Sequence, residues 1–328
     1  MTDFLMGRRQ WDAHELISGC TPKFFHPNKT LLYEMAFSNG KQSDGSIGYS
    51  RWAPRALGEK FPARNAPLFV SRKSGFFDYL PSGQAGLAEW HLNFANYDVY
   101  STWAASLFAQ DEMQVAEHPG LMALRMAATK EGLSMLCVED GEPTPIIVTG
   151  VERRLSIDTS PNAERPHGLY GNQFKRAWPE QIKAATTVFD DPLKSNLIAI
   201  EAPAYGTGSY SEDEIIFIMR TAHAGFTAAR DESLATLGTT EFCIHTGYWG
   251  CGAYGGNRVL MILLQMIAAD MAGVSQIVFH VGDKTGDAPF DEALEMYRLF
   301  RTDPAMTTDG MIKALADRHY SWGESDGN

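Results

Sequence analysis

The chain reads Thr246-Gly247-Tyr248-Trp249-Gly250-Cys251-Gly252-Ala253-Tyr254-Gly255-Gly256 between a predicted strand, residues 241–245, and a predicted helix, residues 258–271. The five glycines of this stretch permit positive φ angles and a close approach of the backbone to a ligand. Amides near the start of the following helix can hold a phosphate without any net positive charge. The stretch matches neither Gly-x-Gly-x-x-Gly nor the P-loop pattern, so composition and position alone favour a tight turn over a phosphate site.

Strands and helices alternate on both sides of this unit. The patterns predict strands at residues 66–70, 89–95, 133–138, 145–151, 196–202 and 276–281, and helices at residues 104–116, 120–130, 215–230, 287–300 and 308–317. This alternation predicts a layered α/β fold with a largely parallel or mixed sheet. Residues 1–64 contain several prolines and polar loop-like segments and are interpreted as an N-terminal extension, laid against a main domain at residues 65–328.

Charge and composition exclude several classes of partner. The 328 residues include 28 Lys and Arg against 40 Asp and Glu, which gives a formal net charge of −12. Such a chain repels polyanions at long range, so we expect no nucleic-acid partner and no anionic membrane surface. A local anion site built from backbone amides remains compatible with this charge.

The cysteines and the apolar runs predict a cytoplasmic protein. Cys20, Cys137, Cys243 and Cys251 are widely spaced and form no Cys-x-x-Cys pair, which is typical of reduced thiols. The N-terminus lacks a long apolar region, and no apolar run is long enough to span a bilayer. No cluster of His, Cys or Asp has metal-ligand spacing, and we expect neither a metal ion nor a cofactor.

The glycine-rich stretch resembles the Thr-Gly-Asn-Trp-Gly-Cys-Gly-Ala-Phe-Gly-Gly loop of poly(ADP-ribose) glycohydrolases. Residues 279–283, Phe-His-Val-Gly-Asp, are similar to the following strand of that family, Phe-Thr-Phe-Gly-Asp. The resemblance implies a macrodomain-like core, a three-layer α/β/α arrangement with a mixed sheet. It also implies that the loop contacts the diphosphate of ADP-ribose, and the substrate-binding residues expected there are Tyr248, Gly250, Cys251, Gly252, Ala253, Tyr254, Gly255 and Gly256.

A second similarity lies upstream. Residues 92–96, Leu-Asn-Phe-Ala-Asn, are similar to the Val-Asp-Phe-Ala-Asn of the family, and sixteen residues after Asn96 comes Glu112 in the segment Gln110-Asp111-Glu112. This is the spacing of the final Glu in the Gln-Glu-Glu signature of the family. The resemblance implies that Glu112 is the catalytic acid/base, with Asp111 positioning it or holding substrate hydroxyls, Asn96 holding a ribose hydroxyl and Gln110 beside the substrate.

This assignment agrees with the chemistry of ribosyl bond cleavage. The reaction passes through an oxocarbenium-like transition state, and a carboxyl group must protonate the leaving atom and then activate water. Without the resemblance, Asp111 and Glu112 would be interpreted as a solvated surface pair, because acidic residues are mostly exposed.

Two departures from the family bear on the substrate. Ser101-Thr102-Trp103 stands where the signature has Gly-Gly-Gly, and residues 157–161 lack the aromatic of the Tyr-Thr-Gly-Tyr-Ala segment. Trp103 is expected to fill the space of the missing glycines or to stack on a leaving heterocycle. We therefore expect hydrolysis of an ADP-ribose-like or ribose-phosphate-containing small nucleotide. Two alternatives stay open: an N-ribosidase acting on a nucleotide intermediate of a metabolic or natural-product pathway, and a non-catalytic ADP-ribose-binding macrodomain.

Overall fold

Strands from the whole length of the chain meet in one sheet in the computed structural model, which describes residues 3–63, 66–203 and 206–327. The strands in chain order are β1 (Leu5–Asp12), β2 (Ser46–Trp52), β3 (Phe69–Lys73), β4 (Ala88–Ala95), β5 (Val138–Glu139), β6 (Glu142–Pro143), β7 (Ile146–Ile157), β8 (Thr186–Glu201), β9 (Phe242–Gly247) and β10 (Gln276–His280). The eight-stranded sheet has the order β1-β2-β7-β8-β4-β9-β10-β3, while β5 and β6 form a separate hairpin. Strands β8, β4, β9, β10 and β3 are parallel neighbours, and the β7–β8, β2–β7 and β1–β2 pairs are antiparallel.

Helices cover both faces of this sheet. They are α1 (Ala13–Ser18), α2 (Pro27–Ala36), α3 (Gln110–Glu117), α4 (Gly120–Lys130), α5 (Pro179–Ala185), α6 (Glu212–Glu232), α7 (Arg258–Ala272), α8 (Asp287–Thr302) and α9 (Thr308–Ala316). Side chains alternate along β8, so that Ile198 and Ile200 pack under α6 to α9 while Leu197 and Ala199 pack under α1, α3 and α4. The predicted three-layer α/β arrangement with a mixed sheet is confirmed.

Helix α7 lies where the sequence predicted a helix, residues 258–271, and both of its ends carry local signals. Asn257 caps its start, because its Oδ1 accepts hydrogen bonds from the amides of Val259 and Leu260, both at 3.1 Å. Gly273 ends it in the left-handed conformation, at φ +81°. Residues 260–272 are all buried, which explains the apolar sequence on every side of the helix.

Residues 3–63 have more regular secondary structure than their sequence predicted. They supply β1 and β2, and β2 pairs with β7, so this segment extends the central sheet instead of only lying against it. Neither strand was predicted from the polar, proline-containing sequence of this segment. Strand β1 is an edge strand whose central residues Arg8, Arg9 and Gln10 give no apolar alternation. The predicted domain boundary falls on residues 64 and 65, outside the described residues, and stays a prediction.

The strand expected at residues 133–138 is also wrong. Only Val138 of that range is in a strand, and Met135 and Cys137 are instead buried in irregular backbone after α4. A short apolar run bounded by turns cannot distinguish a strand from a packed loop, which is why periodicity failed here.

The fold places a cleft at one edge of the sheet. Because β4, β8, β9 and β10 are parallel, their carboxyl ends and the loops that follow them meet at the same edge, which is where α/β sheets bind ligands. Among the described residues, no helix is both long and apolar enough to cross a bilayer.

Candidate active site

The cleft has a volume of about 630 Å³. Its walls are the segment that follows β4, the first two turns of α3, the glycine-rich loop after β9, the loop after β10 and residues 156–160. The cleft brings together most of the residues that were predicted for the site. They are Asn96, Gln110, Asp111, Glu112, Tyr248, Gly250, Cys251, Gly252, Ala253 and Tyr254.

Gln110 fixes the start of α3 to the end of β4. Its Oε1 accepts a hydrogen bond from the amide of Phe94 at 2.8 Å, and its Nε2 donates to the carbonyl of Leu92 at 3.1 Å. The side-chain amide therefore pairs with the strand as a backbone amide would. Although Gln110 lines the cleft, both polar groups of its side chain are used within the protein, which makes it a positioning residue.

Glu112 lies in the first turn of α3 and is only 3% exposed. Its Oε1 accepts a hydrogen bond from Thr102 Oγ1 at 2.6 Å, and its Oε2 accepts one from the amide of Ala109 at 3.0 Å. These two donors fix the carboxylate at the cleft wall. Thr102 stands in the segment where the glycines of the resembled signature would be, so this contact is a consequence of that departure.

Asp111 is held away from Glu112, toward the sheet, by a hydrogen bond that Asn93 Nδ2 donates to its Oδ1 at 3.0 Å. Burial, and then the negative charge of Glu112, raise the pKa of Asp111 to about 7.

The counterion behind both carboxylates is Lys29, whose Nζ donates to the carbonyl of Trp103 at 3.2 Å. Burial lowers the pKa of Lys29 to about 8, and the charges of Glu112 and Asp111 oppose that shift. The start of α3 thus holds a buried cluster of two carboxyls and one amine.

This cluster makes stability depend on pH. The pKa of Asp111 is 3.8 in a model compound and about 7 in the fold, so over that interval the folded state keeps a proton that the unfolded chain has lost. The free energy of unfolding must therefore fall as the pH rises through that window. In Asp111→Asn this dependence on pH disappears. We therefore expect the free energy of unfolding of the variant, minus that of the unmodified protein, to increase by roughly 2–3 kcal/mol between pH 5 and pH 8. Urea unfolding at each pH measures this, with the exposed Asp190→Asn as control; a pH-independent difference would contradict it.

Asn96 follows β4 directly and lines the cleft. Its Oδ1 accepts a hydrogen bond from the amide of Asp98 at 3.3 Å. Its Nδ2 has no hydrogen-bond partner within the described part of the chain. The side chain therefore keeps a donor for a ligand, as a contact to a ribose hydroxyl requires.

The glycine-rich loop leaves some of its amides unused. The amides of Cys251, Gly255 and Gly256 donate to carbonyls inside the loop, at 2.9–3.0 Å. The amides of Gly250, Gly252 and Ala253 have no hydrogen-bond partner among residues 3–63, 66–203 and 206–327. These three residues line the cleft, and we call their amides the amide cradle. Adjacent unpaired backbone donors of this kind form an anion site.

The conformation of the loop depends on glycine at position 250, where φ is +74° and a Cβ would lie 2.9 Å from Ala202 Cβ. Gly255 and Gly256 do not line the cleft: they are buried behind the loop. Their predicted contact with substrate therefore has no support in the geometry, and they shape the turn instead.

The predicted position of Trp103 beside the substrate has no support in the structure either. It lies outside the cleft lining and packs edge-on against Phe24, with ring centroids 5.3 Å apart, in a small apolar cavity that Tyr33 also lines. The N-terminal segment covers this side of the residue, so stacking on a leaving heterocycle is not available to it. Residues 157–160 do line the cleft and, as expected, contribute no aromatic ring.

The sequence also did not predict Arg258, Tyr170 and Phe76 as residues of the cleft. Arg258 is the first residue of α7 and lies over the Tyr248 ring, 4.9 Å from its centroid, beside the glycine-rich loop. Tyr170 and Phe76 face each other in nearly parallel planes, with centroids 6.4 Å apart and an angle of 10°. A cation directly after a glycine-rich loop was a usable signal for Arg258. No local pattern marks Tyr170 or Phe76.

Three histidines from neighbouring strands of the sheet, His91, His245 and His280, form one buried group. His91 stacks on His245 with centroids 4.4 Å apart, and His245 contacts both His280, at 3.3 Å, and Glu89, at 3.1 Å. Burial lowers the pKa of His280 to about 4, so this imidazole, which borders the cleft, is neutral at pH 7. No group of three or more His, Cys, Asp or Glu in the described residues has the geometry to hold a metal ion.

Comparison with known proteins gives one family. The family model described as poly(ADP-ribose) glycohydrolase (PARG), Macro domain fold, matches residues 88–287, more than half of the chain. No curated protein gives a significant match.

Solved structures give similar folds at low identity. The glycohydrolase of Thermomonospora curvata is 15% identical, with 89% of this chain and 85% of that chain covered and a TM-score of 0.42. The same protein bound to the inhibitor ADP-HPD is 15% identical, with 88% of this chain and 84% of that chain covered and a TM-score of 0.44. The glycohydrolase of Deinococcus radiodurans in complex with ADP-ribose is 12% identical, with 89% of this chain and 94% of that chain covered and a TM-score of 0.40.

Proposed function

Since the chain belongs to the poly(ADP-ribose) glycohydrolase family with the macro domain fold, we propose that it hydrolyses the anomeric ribosyl bond of an ADP-ribose-like or ribose-phosphate-containing small nucleotide. Glu112 supplies acid/base catalysis. The observation that carries this proposal is that the walls of one cleft contain a buried, hydrogen-bonded carboxylate and the amide cradle, whose amides have no hydrogen-bond partner in the described residues.

Each wall has a role in this reaction. The Glu112 carboxyl protonates the atom that leaves the anomeric carbon, and the resulting carboxylate then removes a proton from the attacking water. Asn96 donates to a ribose hydroxyl. The amide cradle and the guanidinium of Arg258 hold the phosphate groups, which places the sugar between the two walls.

Charge and shape favour a small substrate over the polymer. The residues that line the cleft include the carboxylates of Asp158 and Asp283 in addition to the Asp111–Glu112 pair. With a formal net charge of −12 for the chain, these groups disfavour a long polyanion. A single phosphate or diphosphate at the amide cradle is repelled less by these negative charges than a polymer is. Phe76, which is 60% exposed, and Tyr170 offer aromatic faces to a planar base.

The test is hydrolysis of a substrate panel by the purified protein. The panel contains ADP-ribose polymer, O-linked ADP-ribose derivatives and N-ribosides carrying a 5′-phosphate, and released ribose phosphate or ADP-ribose is measured by chromatography. Turnover of a small nucleotide at least tenfold above that of the polymer supports the proposal. Cleavage of the polymer at the highest rate would refute the small-substrate part, and preference for the N-ribosides would establish the N-ribosidase alternative.

The hydrogen bonds of Glu112 favour a second candidate, the non-catalytic reader. Both of its oxygens already accept hydrogen bonds from the protein, one of them from Thr102, where the family signature has glycine. A carboxylate engaged in this way can be structural. A reader would bind ADP-ribose and raise its own melting temperature, yet release no product from any member of the panel.

A further inference from the structure

Residues 321–327, which we call the strap, lie along the glycine-rich loop. The amide of Gly323 donates to the carbonyl of Gly255 at 2.7 Å, and the amide of Asp326 donates to that of Gly252 at 3.4 Å. At the far end of the strap, the carbonyl of Gly327 accepts a hydrogen bond from Asn172 Nδ2 at 2.8 Å. The strap therefore joins the loop to the segment that contains Asn172, two residues after Tyr170 of the cleft lining.

Trp322 anchors the near end of the strap. Its ring stacks on Tyr210, with centroids 4.2 Å apart and an angle of 18°, and its Nε1 donates to Glu214 Oε1 at 3.1 Å. The indole also packs on Gly206, where a Cβ would lie 1.9 Å from the ring. The anchor is outside the cleft lining, whereas Asp326 is within it.

The Asp326 carboxylate lies against the amide cradle. A Cβ at Gly252 would be only 2.9 Å from Asp326 Oδ2, so the absence of a side chain at Gly252 is what lets the carboxylate approach. Gly252 is also one of the residues whose amide has no hydrogen-bond partner in the described chain. The Tyr170 hydroxyl lies at the same place, 3.9 Å from that Cβ position, and burial, and then the charges of Asp326 and Glu112, raise the pKa of Tyr170 to about 12.

We propose that the strap is an internal competitor for the amide cradle, with Asp326 in the place of a substrate phosphate. A phosphate or diphosphate held by the cradle would lie beside the Asp326 carboxylate at Gly252 and must displace it, because two anions at this distance repel each other strongly. The strap thereby lowers the affinity for phosphate-bearing ligands and selects those whose remaining contacts offset its displacement. This inference rests on the proposed function, since it takes the cradle to be the phosphate site.

The sequence of the strap fits this role. Its hydrogen bonds to the loop are backbone bonds, so they can break without leaving a charged group unpaired. It carries a second carboxylate, Glu324, which is exposed and does not line the cleft. Substitution of Asp326 removes a charge beside the cradle, whereas substitution of Glu324 removes a charge of the strap outside the cleft. The two effects can therefore be measured separately.

The experiment measures the affinity of ADP-ribose for three proteins by calorimetry: the unmodified chain, Asp326→Asn and, as matched control, Glu324→Gln. Removing one negative charge a few ångströms from the phosphate should make Asp326→Asn bind roughly tenfold more tightly. Glu324→Gln should stay within about twofold of the unmodified chain. Hydrogen exchange of the strap amides, followed by mass spectrometry, should accelerate when the unmodified protein is saturated with ADP-ribose.

The outcomes separate this inference from the proposed function. Equal affinities for the unmodified chain and Asp326→Asn, or an equal gain in Glu324→Gln, overturn the strap as a competitor and leave the glycohydrolase assignment standing. Unchanged exchange of the strap at saturation also overturns it, because displacement did not occur. If ADP-ribose binds none of the three proteins, the cradle does not hold its diphosphate and the strap inference fails, whereas hydrolysis of the 5′-phosphate N-ribosides in the panel decides the proposed function separately.

Discussion

Replacing Glu112 by glutamine lowers kcat by about a thousandfold and leaves the affinity for ADP-ribose within a few fold of the unmodified protein, which is the largest effect on activity that we expect. Glutamine keeps the shape of the side chain, and its amide can still pair with Thr102 or with the amide of Ala109. It cannot give a proton to the leaving atom or take one from water. Single-turnover kinetics and a separate binding titration measure the two quantities.

The control for this variant is Glu34→Gln, which removes a carboxylate from the exposed face of α2 and should leave both quantities unchanged. If Glu112→Gln retains more than a tenth of the activity, Glu112 is not the acid/base. If the unmodified protein binds ADP-ribose and shows no turnover on any substrate, the reader function replaces the enzyme.

Replacing Arg153 by methionine costs about 3–5 kcal/mol in the free energy of unfolding, the largest effect on stability that we expect. Arg153 is 4% exposed, and its Nε donates to Glu117 Oε2 at 2.8 Å; Glu117 is 5% exposed. The guanidinium also donates to the carbonyl of Asp78 and lies over the Tyr79 ring, 4.6 Å from its centroid. Methionine fills the space of the stem but leaves the Glu117 carboxylate buried without a counterion.

Chemical denaturation measures this loss. The double variant Arg153→Met/Glu117→Leu is its matched control, because it removes the buried carboxylate together with its partner and should recover most of the stability. A single variant that loses less than about 1 kcal/mol would show that Glu117 is solvated or protonated in the fold. The pair joins α3 to the loop that carries Phe76 and Tyr79, so the destabilised variant should also bind ADP-ribose more weakly.

The elements that the sequence predicted best are those whose local signals agree with their tertiary surroundings. Helix α4 was predicted at residues 120–130 and is found at Gly120–Lys130, because its apolar spacing and the preceding Pro119 mark the same boundaries. The position of Glu112 and of the glycine-rich loop followed from motifs, since their residue types and spacing are set by the site itself.

The sequence failed where a residue's surroundings come from distant parts of the chain. Nothing near Trp103 indicates that Phe24, from the N-terminal segment, covers it. Strand β1 has no apolar alternation because it is an edge strand, and only its partner β2 defines it. Tyr170, Phe76 and Asp326 enter the cleft from three separate segments, so no local pattern could have brought them together.

The order of strands in the sheet has a consequence for how the chain folds. The central strand β4 is paired through His91 with Leu197 of β8 on one side and His245 of β9 on the other. During synthesis β2 and β4 leave the ribosome well before β7, β8 and β9, so each keeps an open edge until those partners emerge. Such non-local pairing makes folding slow and exposes strand edges to other chains. We therefore expect refolding yield to fall steeply with protein concentration, and shorter fragments that end before residue 242 to aggregate.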